Sequence, residues 1–327
     1  MKTTKLGAQG PKVSAIGLGS LSMGRSGPFG ASQDDEAIRT IHEAMDRGVT
    51  LIDTADFYGN GESELLVGRA IAGRRDKVVV SVKFGAMRGP NGQMLGLDCR
   101  PSAVKNFAAY SLKRLGIEVI DVYRPARLDP SVPVEDTVGA IADLIKEGYV
   151  KYVGLSEVGA DTIRRAHAVH PIADVQMEYS IATRTPEDKV FPALRELGIG
   201  ATLFGVLSRG LLSGSKPSGP KDVRAHLPRF SGEAGKENEA LVEKLRAFAT
   251  KVGRTPAQVC MAWALAKQPT FVPLSGARTP AHLDVLTAAD RPLSAEELTE
   301  LETWLPRGAF KGTRYPEAQM AQLDSER

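Results

Sequence analysis

Leu51-Ile52-Asp53-Thr54-Ala55-Asp56-Phe57-Tyr58-Gly59 begins as an apolar strand behind the helix-ending Gly48 and turns polar at Asp53. Tyr58 follows, then the loop Gly59-Asn60-Gly61 and a helix predicted from about Ser63. A buried carboxylate at a strand end, with a tyrosine in the loop beyond it, is costly for a segment with only a structural task. The run Val78-Val79-Val80-Ser81-Val82-Lys83 ends a second apolar strand on a lysine. If the two strands are parallel neighbours, Asp53, Tyr58 and Lys83 converge on one rim. A lysine beside the phenol favours the phenolate and makes Tyr58 a better proton donor at neutral pH, while Asp53 keeps that lysine charged and aimed. The plain alternative is a surface tyrosine beside an ordinary ion pair.

The same unit recurs on either side. Upstream, residues 3 to 14 read as a short hairpin turning at Gly7 and Gly10-Pro11, and 15–19 as a first buried strand. A helix over 34–47 carries Ile38, Ile41 and Met45 on one face, with a Ser32/Asp35 cap and Gly48 as its stop. Downstream, strands at 78–83, 119–124, 150–155, 173–177, 199–204 and 270–274 follow the strand at 50–54. Helices at 63–72, 101–115, 134–147, 160–169, 187–197, 237–251 with 256–267, and 280–288 alternate with them. Capping boxes open two helices, Thr255/Gln258 with Pro256 at the first position, and Ser294/Glu297 before a last helix at 294–304. Eight alternations without a break in composition predict one domain over 1–327. Its fold class is α/β, a single (β/α)8 TIM barrel with an N-terminal β-hairpin and extra C-terminal helices. Function in such a barrel sits where strands end, which is where Asp53 and Lys83 fall. The tail beyond Pro306 reads as polar and loosely held.

At 327 residues the chain is long enough for two domains or one large barrel, and its 42% hydrophobic content supplies an ample core. A net charge of +3, with no Lys/Arg run beyond a pair, offers little to a nucleic acid. Two cysteines, Cys99 and Cys260, imply no disulfide framework, and Cys260 among Val259, Met261 and Trp263 reads as a buried thiol. The N-terminal residues lack an apolar signal region and no stretch approaches a membrane span, so a cytoplasmic protein is expected. His167 and His170 form a helix-end pair without a carboxylate, and no metal site is expected.

Asp53, Tyr58 and Lys83, set in LIDTADFYGNGESELLVGRAI and VVVSVKFG, resemble the aldo-keto reductase superfamily in its bacterial NADP-dependent form. The likeness runs from KLGAQGPKVSAIGLGS to SAEELTELETWL. It implies a TIM-type barrel that reduces aldehydes or ketones with NADP(H), with Asp53, Tyr58 and Lys83 catalytic and Tyr58 the general acid. Gly17-x-Gly19 lacks the third glycine of a dinucleotide fingerprint, and the resemblance makes this loop part of the barrel mouth. Ser156-Glu157 and Gln176, at the ends of the fifth and sixth strands, match family residues that hold the nicotinamide carboxamide. Asparagine is common where Glu157 stands. Phe204, ending the seventh strand, matches an aromatic that stacks on the nicotinamide; a core phenylalanine is the alternative.

The next loop, 205–210 with Leu207, Ser208 and Arg209, resembles the family's pyrophosphate loop, and its backbone N–H groups and Arg209 suit an anion. Ser275-Gly276-Ala277-Arg278-Thr279 runs into a helix N-terminus that suits a phosphate. There Gly276, Arg278 and His282 are expected at the cofactor, with Arg278 matching the residue on the 2′-phosphate of NADP. His282 and Leu286 replace an arginine and an asparagine common in the family.

Asp121-Val122-Tyr123-Arg124-Pro125-Ala126-Arg127 departs from the family pattern Asp-Leu-Tyr-x-x-His, in which the histidine donates to the substrate carbonyl. Here Ala126 stands at that place, with Arg124 on the same strand face and Arg127 adjacent. Two readings follow: a carbonyl reductase, favoured by intact Asp53, Tyr58 and Lys83, or a nucleotide-binding barrel with a regulatory or sensory role, favoured by Ala126. The expected partner is a small carbonyl substrate, with neither nucleic acid nor membrane, and a homo-oligomer is allowed. Specificity is expected in the loops 20–31, 85–99 and 208–236 and in the tail.

Overall fold

The structure is a computed structural model that describes residues 1–23, 33–220 and 222–326. A hairpin leads, β1 (Thr3–Lys5) antiparallel to β2 (Lys12–Ser14). Eight strands then close a parallel barrel: β3 (Gly17–Gly19), β4 (Leu51–Ala55), β5 (Val79–Phe84), β8 (Ile120–Pro125), β9 (Val150–Ser156), β10 (Ile172–Glu178), β11 (Gly200–Phe204) and β12 (Val272–Gly276). Each pairs with its predecessor, and β12 returns to β3 through Leu274 opposite Gly17. Strands such as β8 are buried along their whole length, because the barrel interior covers one face and helices the other.

The helices are α1 (Asp34–Asp46), α2 (Glu62–Ile71), α3 (Pro101–Leu115), α4 (Val134–Lys146), α5 (Ala160–Val169), α6 (Val190–Leu197), α7 (Gly232–Lys251), α8 (Pro256–Lys267), α9 (Ala295–Trp304) and the short α10 (Glu317–Met320). Their apolar stripes meet the outer faces of the strands in one core that includes Ile41, Leu66, Val104, Ile141, Ile163, Phe191 and Trp263. A smaller cluster of Leu6, Val13, Leu51, Val122, Val272 and Leu274 joins the hairpin to the barrel. Both predicted capping boxes form, with Thr255 and Gln258 bonded reciprocally ahead of α8 and Ser294 and Glu297 ahead of α9.

Several expectations change. The loop at 85–99 holds a second antiparallel hairpin, β6 (Ala86–Arg88) with β7 (Met94–Leu97). The expected eighth helix is a 3-10 helix, Pro280–Ala289. Helix α7 starts at Gly232, ahead of the expected 237, and α6 is preceded by a 3-10 turn over Thr185–Glu187. Gln33 caps α1 without a side-chain bond, and the expected cap Ser32 lies outside the described residues, as does most of the 20–31 loop. The tail is not loose. Phe310 and Leu323 are buried, and the Asn238 side chain bonds both the carbonyl and the N–H of Lys311.

Candidate active site

The chain leaves β4 through a left-handed run, Gly59 (φ 58°), Asn60 (53°) and Gly61 (97°), with the Asn60 amide donating to the Gly89 carbonyl at 3.1 Å. The left-handed torsion favours glycine at 61, and a Cβ there would stand 2.7 Å from Arg114 Cδ and push that side chain aside. This reversal holds Tyr58 half-buried at the rim, its ring edge-on to Phe57 at 4.9 Å.

Parallel register brings the strand-end polar residues together, Asp53 opposite Ser81, Lys83 opposite Arg124, and Gln176 opposite both Ser156 and Thr202. Lys83 Nζ pairs with Asp53 Oδ1, and the other carboxylate oxygen accepts from Ser81 Oγ and Gln176 Nε2, each at 2.9 Å. Arg124 donates to Ser81 Oγ (2.8 Å) and Thr202 Oγ1 (3.1 Å) and pairs with Asp174, while Thr202 Oγ1 donates to Asp174 Oδ2 at 3.0 Å. The result is a belt of two buried ion pairs crossing the barrel interior. Arg124 is wholly buried within it, its Nη atoms engaged by Asp174 and the two hydroxyls and its Nε buried without a partner, so it does not reach the mouth in the place of Ala126. Burial pushes the Asp174 carboxyl up against the pull of Arg124.

Lys83 Nζ stands 5.2 Å from the Tyr58 ring centroid. The three residues expected to converge do so. The expected tuning differs: burial, seconded by the Asp53 charge, holds the Tyr58 phenol well above its ordinary range, with Arg127 and Arg124 working the other way. Burial likewise draws the Lys83 ammonium below the usual lysine range, against Asp53. Tyr58 is therefore fully protonated at neutral pH, the state a proton donor needs.

Beyond Ser156 the chain takes a left-handed step at Glu157 (φ 55°), unusual outside glycine. Ser156 Oγ is buried without a hydrogen-bond partner. Phe204 is half-exposed at the end of β11, whose register sets it opposite Glu178. The following loop concentrates left-handed torsions at Gly205 (φ 66°), Ser208 (47°), Arg209 (55°) and Gly210 (91°), of which Ser208 and Arg209 are strained. Leu207 is half-buried against the core, and Ser208 Oγ accepts from Arg229 Nη1 at 3.2 Å. Gly276 is exposed at the end of β12, and the Arg278 N–H donates to His282 Nδ1 at 3.3 Å.

Glu157, which the resemblance set beside Ser156, and residues that the sequence did not single out complete the mouth. Glu157 does not stand free beside Ser156: Oε1 accepts the Glu178 N–H (2.7 Å), and Oε2 pairs with Arg314 and accepts from Ser325 Oγ (3.0 Å). Burial works to raise this carboxyl, but the Arg314 charge and hydrogen bond, together with Arg127, hold it below the usual range. Arg314 also meets Glu178 at 3.5 Å and Glu326 at 2.9 Å. Arg209 pairs with Glu178 at 3.2 Å and lies 4.5 Å from the centre of the Tyr315 ring. The tail thus folds over the strand ends, held by two buried carboxylates. Glu178 and Asp174, each an acid inside an apolar strand, were the available signals; nothing local marks Arg314 or Tyr315.

The family model described as Aldo/keto reductase family matches residues 15–305. A protein of Glycine max named Probable aldo-keto reductase 1 is 40% identical over 325 residues, covering 96% of this chain and 92% of that protein. The structure of a glycerol dehydrogenase from Gluconobacter oxydans superposes with a TM-score of 0.86 at 27% identity, over 95% of this chain and 97% of the other. The holo form of an aldo-keto reductase from Bacillus halodurans superposes with a TM-score of 0.77 at 28% identity, over 97% and 99% of the two chains.

Proposed function

Since the chain belongs to the aldo/keto reductase family, we propose that it reduces an aldehyde or ketone with NADPH, Tyr58 delivering the proton to the carbonyl oxygen. The observation that carries this reading is the phenol of Tyr58 on the rim with the Asp53–Lys83 pair beneath it. The residues present fit a nicotinamide nucleotide: Ser156 Oγ is buried and unpartnered where a carboxamide would bond it, and Phe204 offers a half-exposed ring two strands along. Gln176 would share that carboxamide, Leu207, Ser208 and Arg209 would hold the pyrophosphate, and Gly276, Arg278 and His282 the adenosine end. A bound NADPH would supply the hydride.

The chain's own residues do the rest. Asp53 fixes Lys83, and the ammonium stabilises the phenolate left on Tyr58 after the proton has moved. Ala126, where the family places a histidine, removes one carbonyl donor but leaves proton delivery in place. The test is NADPH oxidation with a panel of aldehydes and ketones. Tyr58→Phe should lower turnover by about two to four orders of magnitude, with NADPH affinity nearly unchanged. Full activity of Tyr58→Phe on every substrate sinks Tyr58 as the proton donor, whereas no NADPH oxidation by the native protein with any of them leaves a nucleotide-binding role.

A further inference from the structure

The guanidinium groups about the mouth are not equally satisfied. Arg124 has Asp174; Arg209 and Arg229 have Glu178; Arg314 has Glu157, Glu178 and Glu326. Arg127 has neutral partners only: Nη1 donates to the Ala126 carbonyl at 2.7 Å and Nη2 to the Tyr315 hydroxyl at 3.3 Å. No carboxylate among the described residues lies within ion-pair distance of it, though the side chain is half-buried. Glu157 is near enough to feel Arg127 but is spent on Arg314. A partly buried charge without a counter-ion is costly, and a ligand that supplies the counter-ion recovers that cost.

Its place narrows what that ligand is. Arg127 directly follows β8 and Ala126, whose N–H donates to the Phe84 carbonyl beside Lys83. Strand β8 is the one paired with Lys83, and the Arg127 charge is felt at the Tyr58 phenol and the Lys83 ammonium, which puts it on the same side of the mouth as those groups. In the closed ring β8 lies across the barrel from β12 and Arg278, out of line with a nucleotide phosphate held there. The Tyr315 hydroxyl accepts from Arg127 and keeps its own proton to donate.

We propose that Arg127, backed by the Tyr315 hydroxyl, is the anchor for a substrate with its own negative charge, a carboxylate-bearing aldehyde or ketone held with its carbonyl at Tyr58. The inference rests on the reductase reading and names its substrate class. Steady-state rates with NADPH on 4-carboxybenzaldehyde and benzaldehyde test it, in the native protein, Arg127→Met and Arg127→Lys. The native kcat/KM should favour the carboxylate by about ten- to a hundredfold, the worth of one charge-assisted bond. Arg127→Met should bring that ratio to about one through KM, Arg127→Lys should keep part of it, and added salt should erode it in the native protein. Calorimetric titration with terephthalate, which is not reducible, should show binding that Arg127→Met weakens. A native ratio of one, a ratio untouched by Arg127→Met, or terephthalate binding equally to both overturns the proposal. So does an equal loss of kcat on both aldehydes, which would make Arg127 a carbonyl donor. Should Arg127→Met fail to fold, the salt dependence and Arg127→Lys decide alone. If neither aldehyde is reduced yet terephthalate binding depends on Arg127, the anion site stands and the reductase reading falls.

Discussion

Asp56 lies between Asp53 and Tyr58 in the chain, and its carboxyl feels the charges of Glu64 and Arg114. One of its carboxylate oxygens is buried without a partner. Burial, then the Glu64 charge, raises its pKa to about 7, against hydrogen bonds from the Gly85 and Phe57 N–H groups. The folded protein therefore keeps a proton that the unfolded chain releases near pH 4, as an ordinary aspartate does. Stability contributed by that proton is full below about pH 4 and is lost as the pH rises through about 7. Asp56→Asn removes the titration. Relative to the native protein the variant should gain stability steadily between about pH 4 and 7 and then level off. Urea unfolding across that range checks this, and parallel curves for the two proteins would exclude it.

The site's elements were legible in proportion to how local their signals are. Asp53 and Lys83 stood out because a charged residue closing an apolar strand is visible within a few positions, whereas Gln176 and Phe204 were picked out only through the family resemblance. The boxes at Thr255 and Ser294 could be found because both halves sit three residues apart. The tail could not: Arg314 reads as one surface arginine until folding sets it against Glu157 and Glu178. The 86–97 hairpin was hidden by its glycines, and Pro280–Ala289 winds as a 3-10 helix although its sequence fits either form. That segment carries the expectation about cofactor choice. With Arg278 at its start, NADPH should bind better than NADH, since a charge-assisted contact to the extra phosphate contributes roughly 1.5–3 kcal/mol. Fluorescence titration should show Arg278→Ala losing about ten- to a hundredfold in NADPH affinity with little change for NADH. Equal losses for both cofactors would remove the argument.

Across the whole barrel, the belt of Asp53, Lys83, Arg124 and Asp174 buries four charged groups. Its removal in halves should cost more than its removal entire. Arg124→Ala leaves Asp174 charged and buried and should destabilise by about 3–5 kcal/mol, whereas Arg124→Met with Asp174→Leu should recover most of the loss. Chemical denaturation of the single and double variants decides, and a double variant no more stable than Arg124→Ala would show that the pair itself is stabilising. The return of β12 to β3 reaches further than the belt. Neither strand has a full set of neighbours until segments from near the two limits of the family match have met. Local zippering cannot finish such a molecule, so folding waits on its longest loop closure. Until then β3 and β12 are bare edges, each a template for a second copy. Protection against aggregation arrives last, with the pairing of residues that lie farthest apart along the chain.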